Sequence, residues 1–297
     1  MGLLLCLATI LCYNCICKVS IRIKWALHEI DSRVFMLEAE MLTLYFSGTG
    51  NTAYIAESFS EKMGAVCLSI EADVDFAAEM AKHDTIAICY PIYGSRVPLI
   101  MRQFVAANLA SFADKKLIIL VTQLCFSGDG ARVLCDLFPK PVNVIYAEHF
   151  FMPNNVCNFA LLGRTKNVAV RLKKAEKKLE KVCQNIKNGL IRRRGFSGFA
   201  KILGKVQGNP WQGDSRSAVA VDGTMEYKAK HGVQIDEDCN GCGLCVEICP
   251  MKNLERENGQ IGHRGNCTMC YRCVNRCAKR AVTVFFHKKP EWQYEGL

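Results

Sequence analysis

Eight cysteines between residues 239 and 277 stand in two runs of one spacing, and this repeat constrains the chain more than any other feature. The runs are Cys239, Cys242, Cys245, Cys249 and Cys267, Cys270, Cys273, Cys277, each C-x2-C-x2-C-x3-C, offset by 28 residues. Three thiolates at i, i+3 and i+6 on a tight turn reach three irons of one cubane. A fourth that opens a short helix points the other way, into a second cluster. Two other uses of cysteine compete. Zinc sites take ligand pairs separated by longer gaps. Disulfides need an oxidising compartment, and a chain of 297 residues can build a core without them. Asn258-Gly259, between the runs, reads as a hairpin turn.

The doubled run resembles the bacterial two-cluster ferredoxins. The resemblance implies a small α+β domain over residues 233–287 holding two [4Fe-4S] clusters, with residues 288–297 as a tail. In that family the fourth cysteine of each run serves the other cluster. Carried over, Cys239, Cys242, Cys245 and Cys277 would hold one cluster, and Cys267, Cys270, Cys273 and Cys249 the other. Pro250 follows the first run as in the family, whereas Ala278 replaces it after the second, which removes no ligand. Residues 233–257 hold six acids and two bases, and residues 258–280 hold five bases and no acid. Positive charge favours a reduced cluster, so the Cys267 cluster is expected at the higher potential unless hydrogen bonds to sulfur dominate.

From Met41 the pattern changes to short apolar strands alternating with helices. Strands are predicted over Met41–Phe46, Val66–Ile70, Thr85–Tyr90, Lys116–Val121 and Val142–Ala147. Helices are predicted over Thr52–Met63, Pro98–Ala107, Gly130–Phe138 and Val168–Leu190. This alternation implies an α/β fold with a doubly wound five-stranded parallel sheet over residues 41–190, whose ligands sit beyond the carboxyl ends of the strands. The first such end carries Ser47, Gly48, Thr49, Gly50, Asn51 and Thr52. Glycines let the backbone wrap an anion, and the helix that follows supplies free N–H groups. Gly48, Gly50 and Ala53, with Glu71 farther on, fit a loose dinucleotide fingerprint. The three hydroxyls favour a terminal phosphate monoester, which has more oxygens to satisfy. No Gly-Lys-Ser/Thr follows, so a Walker loop is excluded.

Ser-x-Thr-Gly-x-Thr after the first strand resembles the FMN-phosphate loop of flavodoxins. The likeness continues at Tyr90, Pro91, Ile92, Tyr93 and Gly94, the aromatic and glycine turn that packs on the isoalloxazine in that family. It implies FMN as cofactor, with Tyr93 against the ring and Tyr90 second. The third loop of the family corresponds to residues 123–130 and offers Phe126, Ser127 and Gly128. The alternatives are a dinucleotide, or the fold without a flavin. Together the halves resemble the flavodoxin–ferredoxin fusions of anaerobes, over residues 41–287. That group implies intracellular electron transfer to a redox protein partner. The alternatives are a flavin-dependent reductase of a small acceptor, and an interaction protein with structural clusters.

The net charge of +10 is local. Residues 164–205 hold 14 Lys or Arg against two acids, leaving −2 for the rest. Leu172, Ala175, Leu179, Val182, Ile186 and Leu190 form the buried stripe of a helix there, with lysines on the solvated face. The charge also suits an acidic redox partner. No nucleic-acid motif accompanies it. Residues 191–232 read as a basic, glycine-containing linker in which Trp211, Phe196 and Phe199 anchor or pack between domains. Residues 1–40 read as an extension outside the fold, with translation expected to start at Met41. Its apolar run, Leu3–Leu11, is short for a membrane span. Unpaired thiols beside clusters imply a reducing cytoplasm.

Overall fold

The computed structural model describes residues 41–159, 163–213 and 216–297. The expectations for residues 1–40, including a start at Met41, lie outside the described residues.

The first strand, β1 (Met41–Tyr45), runs into the glycine loop and helix α1 (Asn51–Met63), which Gly64 ends in the left-handed conformation. Then follow β2 (Val66–Ser69), α2 (Phe76–Ala81), β3 (Thr85–Pro91), α3 (Leu99–Ala107), β4 (Lys116–Gln123) and β5 (Asn143–Phe151). Helix α2 escaped the sequence reading; Asp75 caps it by accepting from the Ala78 N–H at 3.0 Å. The helix expected over residues 130–138 is instead a 3-10 segment, Arg132–Leu137. Helix α4 (Val168–Lys187) buries Ala175, Leu179 and Val182 as expected, but it stops before Leu190, which is exposed.

The strands pair in parallel in the order β2-β1-β3-β4-β5, with a sixth, two-residue strand β6 (Arg192–Arg193) added beside β5. This is the flavodoxin-like order, whose switch point lies between β1 and β3. Both faces are covered, so the strands are nearly continuous apolar runs. Leu42, Leu44, Ile86, Ile88, Leu117 and Ile119 pack on one side. Ala87, Cys89, Ile118 and Leu120 pack on the other, against Ile55 and Phe59 of α1 and Leu179 of α4.

The expected linker is ordered instead. It forms α5 (Gly198–Gln212), capped by Ser197, and α6 (Met225–His231), capped by Thr224. Glycines and Pro210 weigh against a helix by propensity. Here they are tolerated because Gly204 and Gly208 face the domain at distances no side chain could occupy. The C-terminal half has β7 (Val233–Ile235), α7 (Leu244–Glu247), the hairpin β8 (Leu254–Glu257) and β9 (Gln260–His263), α8 (Arg272–Arg276) and β10 (Val282–Val284). Asn258 and Gly259 turn the hairpin with φ of 50° and 81°, as expected for Asn-Gly. Strands β7 and β10 pair antiparallel. The expected tail folds back, burying Tyr294 against the first half.

Candidate functional site

Gly50 precedes α1 with a φ of 99° and supplies no side-chain cap, so the first-turn N–H groups face the loop. Ser47 Oγ accepts from the Gly50 N–H at 3.1 Å, and Thr49 Oγ1 accepts from Asn155 Nδ2 at 2.9 Å. Each hydroxyl therefore keeps its own proton to donate to an anion. Thr52 differs from the expectation: its Oγ1 lies 2.7 Å from Thr122 Oγ1, fully buried, where it braces α1 against β4. Asn51 is likewise structural, donating to the Pro153 carbonyl at 2.9 Å. A cavity of about 630 Å³ opens on the loop, with Arg272 and Arg276 of α8 on its far wall. Loop N–H groups and two hydroxyls suit a phosphate monoester, with Arg276 as the facing cation, while the donors of Arg272 are taken by Glu71 and backbone carbonyls and Glu295 also lines the cavity. Glu71, the ribose acid of the dinucleotide reading, is held instead by Arg272 Nη2 at 2.7 Å and Nη1 at 2.9 Å.

A second cavity, about 390 Å³, lies beyond β3 and β4. Tyr93, Gly94, Phe126 and Ser127 line it, as the flavodoxin resemblance implied for the ring. The Tyr93 hydroxyl is buried without a hydrogen-bond partner, an orphan that a ligand edge would satisfy, and burial holds its pKa well above the usual phenol value. Ser127 Oγ bonds to Gln123 Oε1 and lies 3.1 Å from His149 Nδ1. Tyr90 does not reach this cavity. It sits in the sheet core and donates to the Gly130 carbonyl at 2.8 Å, because its position on β3 points it into the apolar layer. Pro91 ends β3 outside the lining, and Gly128 packs on the backbone of α5 near Gly204.

The remaining wall was not legible. Met269, Tyr271, Phe285 and Phe286 come from the cysteine-rich half, and Gln207 and Trp211 from α5. Trp211 does pack between the halves, 5.5 Å from the Phe285 ring centroid, and Phe196 packs on the core of the first half, but Phe199 faces outward and is exposed. The Phe285-Phe286 pair was visible in the sequence, but no local pattern aims it at a site 160 residues earlier.

The cysteines of the two runs neighbour one another, but among the described residues no three metal-ligating side chains are set to hold an ion. Cys245 lies within electrostatic reach of Cys239, Cys277 and Cys242. Cys267 and Cys270 do so with Cys249, and Cys273 with Cys270, Cys267, Cys249 and Cys245. Burial pushes the Cys245 and Cys270 thiols up to about 11 and Cys267 to about 12, and neighbouring thiols add to it. Such groups would ionise together around a strong positive charge, which iron would supply. Backbone N–H groups point at sulfur, from Met269 to Cys267 at 3.2 Å and from Asn253 to Cys249 at 3.3 Å. The fourth cysteines do not open helices as expected: Cys249 follows α7, and Cys277 caps the end of α8.

The two sites meet. A Cβ on Gly48 would stand 2.3 Å from the Cys270 carbonyl oxygen, so only glycine lets the cluster loop rest on the phosphate loop. Arg272 donates to the carbonyls of Ser47 at 2.8 Å and Gly48 at 3.1 Å. The Ile100 N–H donates to Thr268 Oγ1 at 3.3 Å.

Residues 42–156 match the flavodoxin domain family, and residues 238–282 match the 4Fe-4S dicluster domain family. A ferredoxin of Methanothermococcus thermolithotrophicus is 39% identical over 57 residues, spanning 18% of this chain and 95% of that protein. Two solved structures are similar to about half of the chain. A flavodoxin from the domain Archaea is 15% identical, with a TM-score of 0.33 over 50% of this chain and 99% of that one. Oxidised Flavodoxin 2 from Bacillus cereus is 16% identical, with a TM-score of 0.35 over 50% of this chain and 99% of that one. With the ferredoxin matched almost end to end and a flavodoxin domain beside it, the chain belongs to the ferredoxin family as a flavodoxin–ferredoxin fusion.

Proposed function

We propose that this chain passes electrons between an FMN in its flavodoxin half and two [4Fe-4S] clusters in its ferredoxin half, serving a redox protein partner in the cytoplasm. FMN supplies one- and two-electron exchange, and each cubane supplies single electrons. The observation that carries the reading is the shared wall. Met269 and Tyr271 flank Cys270 and also line the ring cavity. The cluster of Cys267, Cys270, Cys273 and Cys249 then neighbours the flavin, and that of Cys239, Cys242, Cys245 and Cys277 follows. The chain's residues hold and orient: Ser47, Thr49 and the α1 N-terminus take the phosphate, while Tyr93 and Phe126 bound the ring. Trp211, Phe285 and Phe286 keep water out. None of the residues lining the ring cavity is Asp, Glu, Lys, Arg or His, which favours electron transfer over proton-moving catalysis.

The test is anaerobic reconstitution followed by iron, flavin and spectral analysis. Expected are one FMN and about eight irons per chain. After photoreduction of the flavin, cluster bleaching in Cys270→Ser should slow at least about tenfold, with FMN still bound. Flavin that never binds, or bleaching that is unchanged in Cys270→Ser, would overturn the proposal. Potentiometry of the same sample should find the flavin-side cluster at the higher potential, because Arg264, Arg272 and Arg276 lie in its half of the domain.

A further inference from the structure

Helix α5 turns its small residues inward and its large apolar residues outward. Ala200, Gly204, Gly208 and Gln212 are buried. A Cβ on Gly204 would meet Asp129 Oδ1 at 1.6 Å, and one on Gly208 would meet Arg96 Cζ at 2.1 Å. Arg96 also donates to the Gly204 carbonyl at 3.2 Å and to Asn209 Oδ1 at 3.0 Å. The inward face is thus fixed against the Arg96–Asp129 pair, and α5 cannot roll to hide its other side. That side carries Phe199, Ile202 and Val206, which are 73%, 66% and 67% exposed. At 100° per residue the three project together, opposite the glycines. A cluster of large exposed side chains on one ridge marks an interaction surface.

The surrounding charge identifies the occupant. Lys205 lies beside the ridge and Lys201 farther round the helix, toward the glycine side, and neither is ion-paired among the described residues. From residue 187 to residue 213 the chain has six basic residues and no acid, and two of the six, Arg192 and Arg194, pair with Glu148 of β5. The three ridge side chains carry no hydrogen-bonding atom, and they lie outside both the phosphate cavity and the ring cavity. The surface therefore offers apolar area and positive charge without a directional contact. Those two quantities drive interfacial helices, whereas a specific protein partner is read by pockets and hydrogen bonds as well.

We propose that α5 seats the protein on an anionic lipid surface. Phe199, Ile202 and Val206 enter the boundary between headgroups and acyl chains, and Lys205 beside them meets the headgroup charge. Gln207 and Trp211 of the same helix line the ring cavity, so docking holds that cavity close to the membrane plane. The proposal concerns a surface and does not depend on whether a flavin is bound.

The test is co-sedimentation of the full chain, clusters in place, with vesicles of phosphatidylcholine containing 30% phosphatidylglycerol, and with phosphatidylcholine alone. Binding to the anionic vesicles is expected, falling several-fold between 50 and 300 mM salt. The triple variant Phe199→Ser, Ile202→Ser, Val206→Ser should bind at least tenfold more weakly, and Lys201→Glu with Lys205→Glu should abolish the preference for anionic lipid. The positions are exposed, so cluster absorbance and far-UV circular dichroism should match wild type. A tryptophan placed by Phe199→Trp should shift its emission to the blue on anionic vesicles. Equal binding by wild type and the triple variant would assign any lipid affinity to another segment and sink the idea. So would an absence of binding at 50 mM salt, or a self-association that the triple variant loses without any lipid binding, which would make the ridge a contact between copies.

Discussion

Arg102 shows how much of this molecule rests on single buried residues. It sits on α3, wholly buried, and its guanidinium makes paired 2.8 Å bonds to the Glu226 carboxylate of α6. It also donates to the carbonyls of Val97 at 2.8 Å and Ser217 at 2.6 Å. Removing one partner strands a buried charge, at about 3–5 kcal/mol, while an apolar pair of similar volume can be nearly neutral. Arg102→Met or Glu226→Leu alone should lower unfolding stability by that amount, and the double variant by clearly less. Urea titration of all three checks it, and additive losses would refute it. His149 gives the pH counterpart. Burial depresses its pKa to about 4, with Arg194 adding to the effect. The folded pKa lies below the unfolded value near 6.5, so the unfolded chain binds the extra proton. Stability is full above about pH 6.5 and falls by about 3 kcal/mol as pH drops toward 4. His149→Gln should flatten the stability difference between pH 7.5 and pH 5; an unchanged slope would exclude this histidine as its source. Neither residue was legible. The cysteine-rich domain was, because the doubled spacing is itself the mark of the 4Fe-4S dicluster family that residues 238–282 match. Arg102 and His149 owe their roles to neighbours distant in sequence, which no local pattern records.

At the scale of elements, the sheet was readable where burial writes itself into composition. Strands covered on both faces are apolar throughout, so their positions survive in the sequence to within a residue or two at most ends. Helix α5 was not readable, because propensity and packing disagree there. Gly204 costs helix propensity of about 1 kcal/mol relative to alanine, yet it is the only residue type that lets the helix lie on Asp129. Two identical substitutions in α5 should therefore have opposite signs. Gly198→Ala meets nothing within 4 Å and should stabilise by up to about 1 kcal/mol. Gly204→Ala must push the helix off the loop and should destabilise by about 1–3 kcal/mol. Thermal midpoints of the two variants decide it: if both rise, propensity governs α5 and its seating is loose.

At the scale of the whole molecule, the default for two joined domains is relative motion across a modest polar interface. Here the contact is threaded through both sites. Arg272 bridges Glu71, two phosphate-loop carbonyls and the Ile248 carbonyl. Asn275 Nδ2 donates to the Asn155 carbonyl at 2.9 Å, and Asn155 in turn holds Thr49. Tyr294 donates to Asn51 Oδ1 at 2.7 Å, so the C-terminal segment is tied to the first turn of α1. The ring cavity has no closed wall unless both halves are in place. The halves should consequently unfold together. In a thermal scan under anaerobic conditions, loss of sheet circular dichroism and loss of cluster absorbance near about 400 nm should share one midpoint. Arg272→Met removes the central tie without touching a cysteine, and its two midpoints should separate, the cluster signal falling first because that half keeps the smaller core. Two well-separated midpoints in the wild type would mean that the halves are independent and that the shared wall forms only when something draws them together.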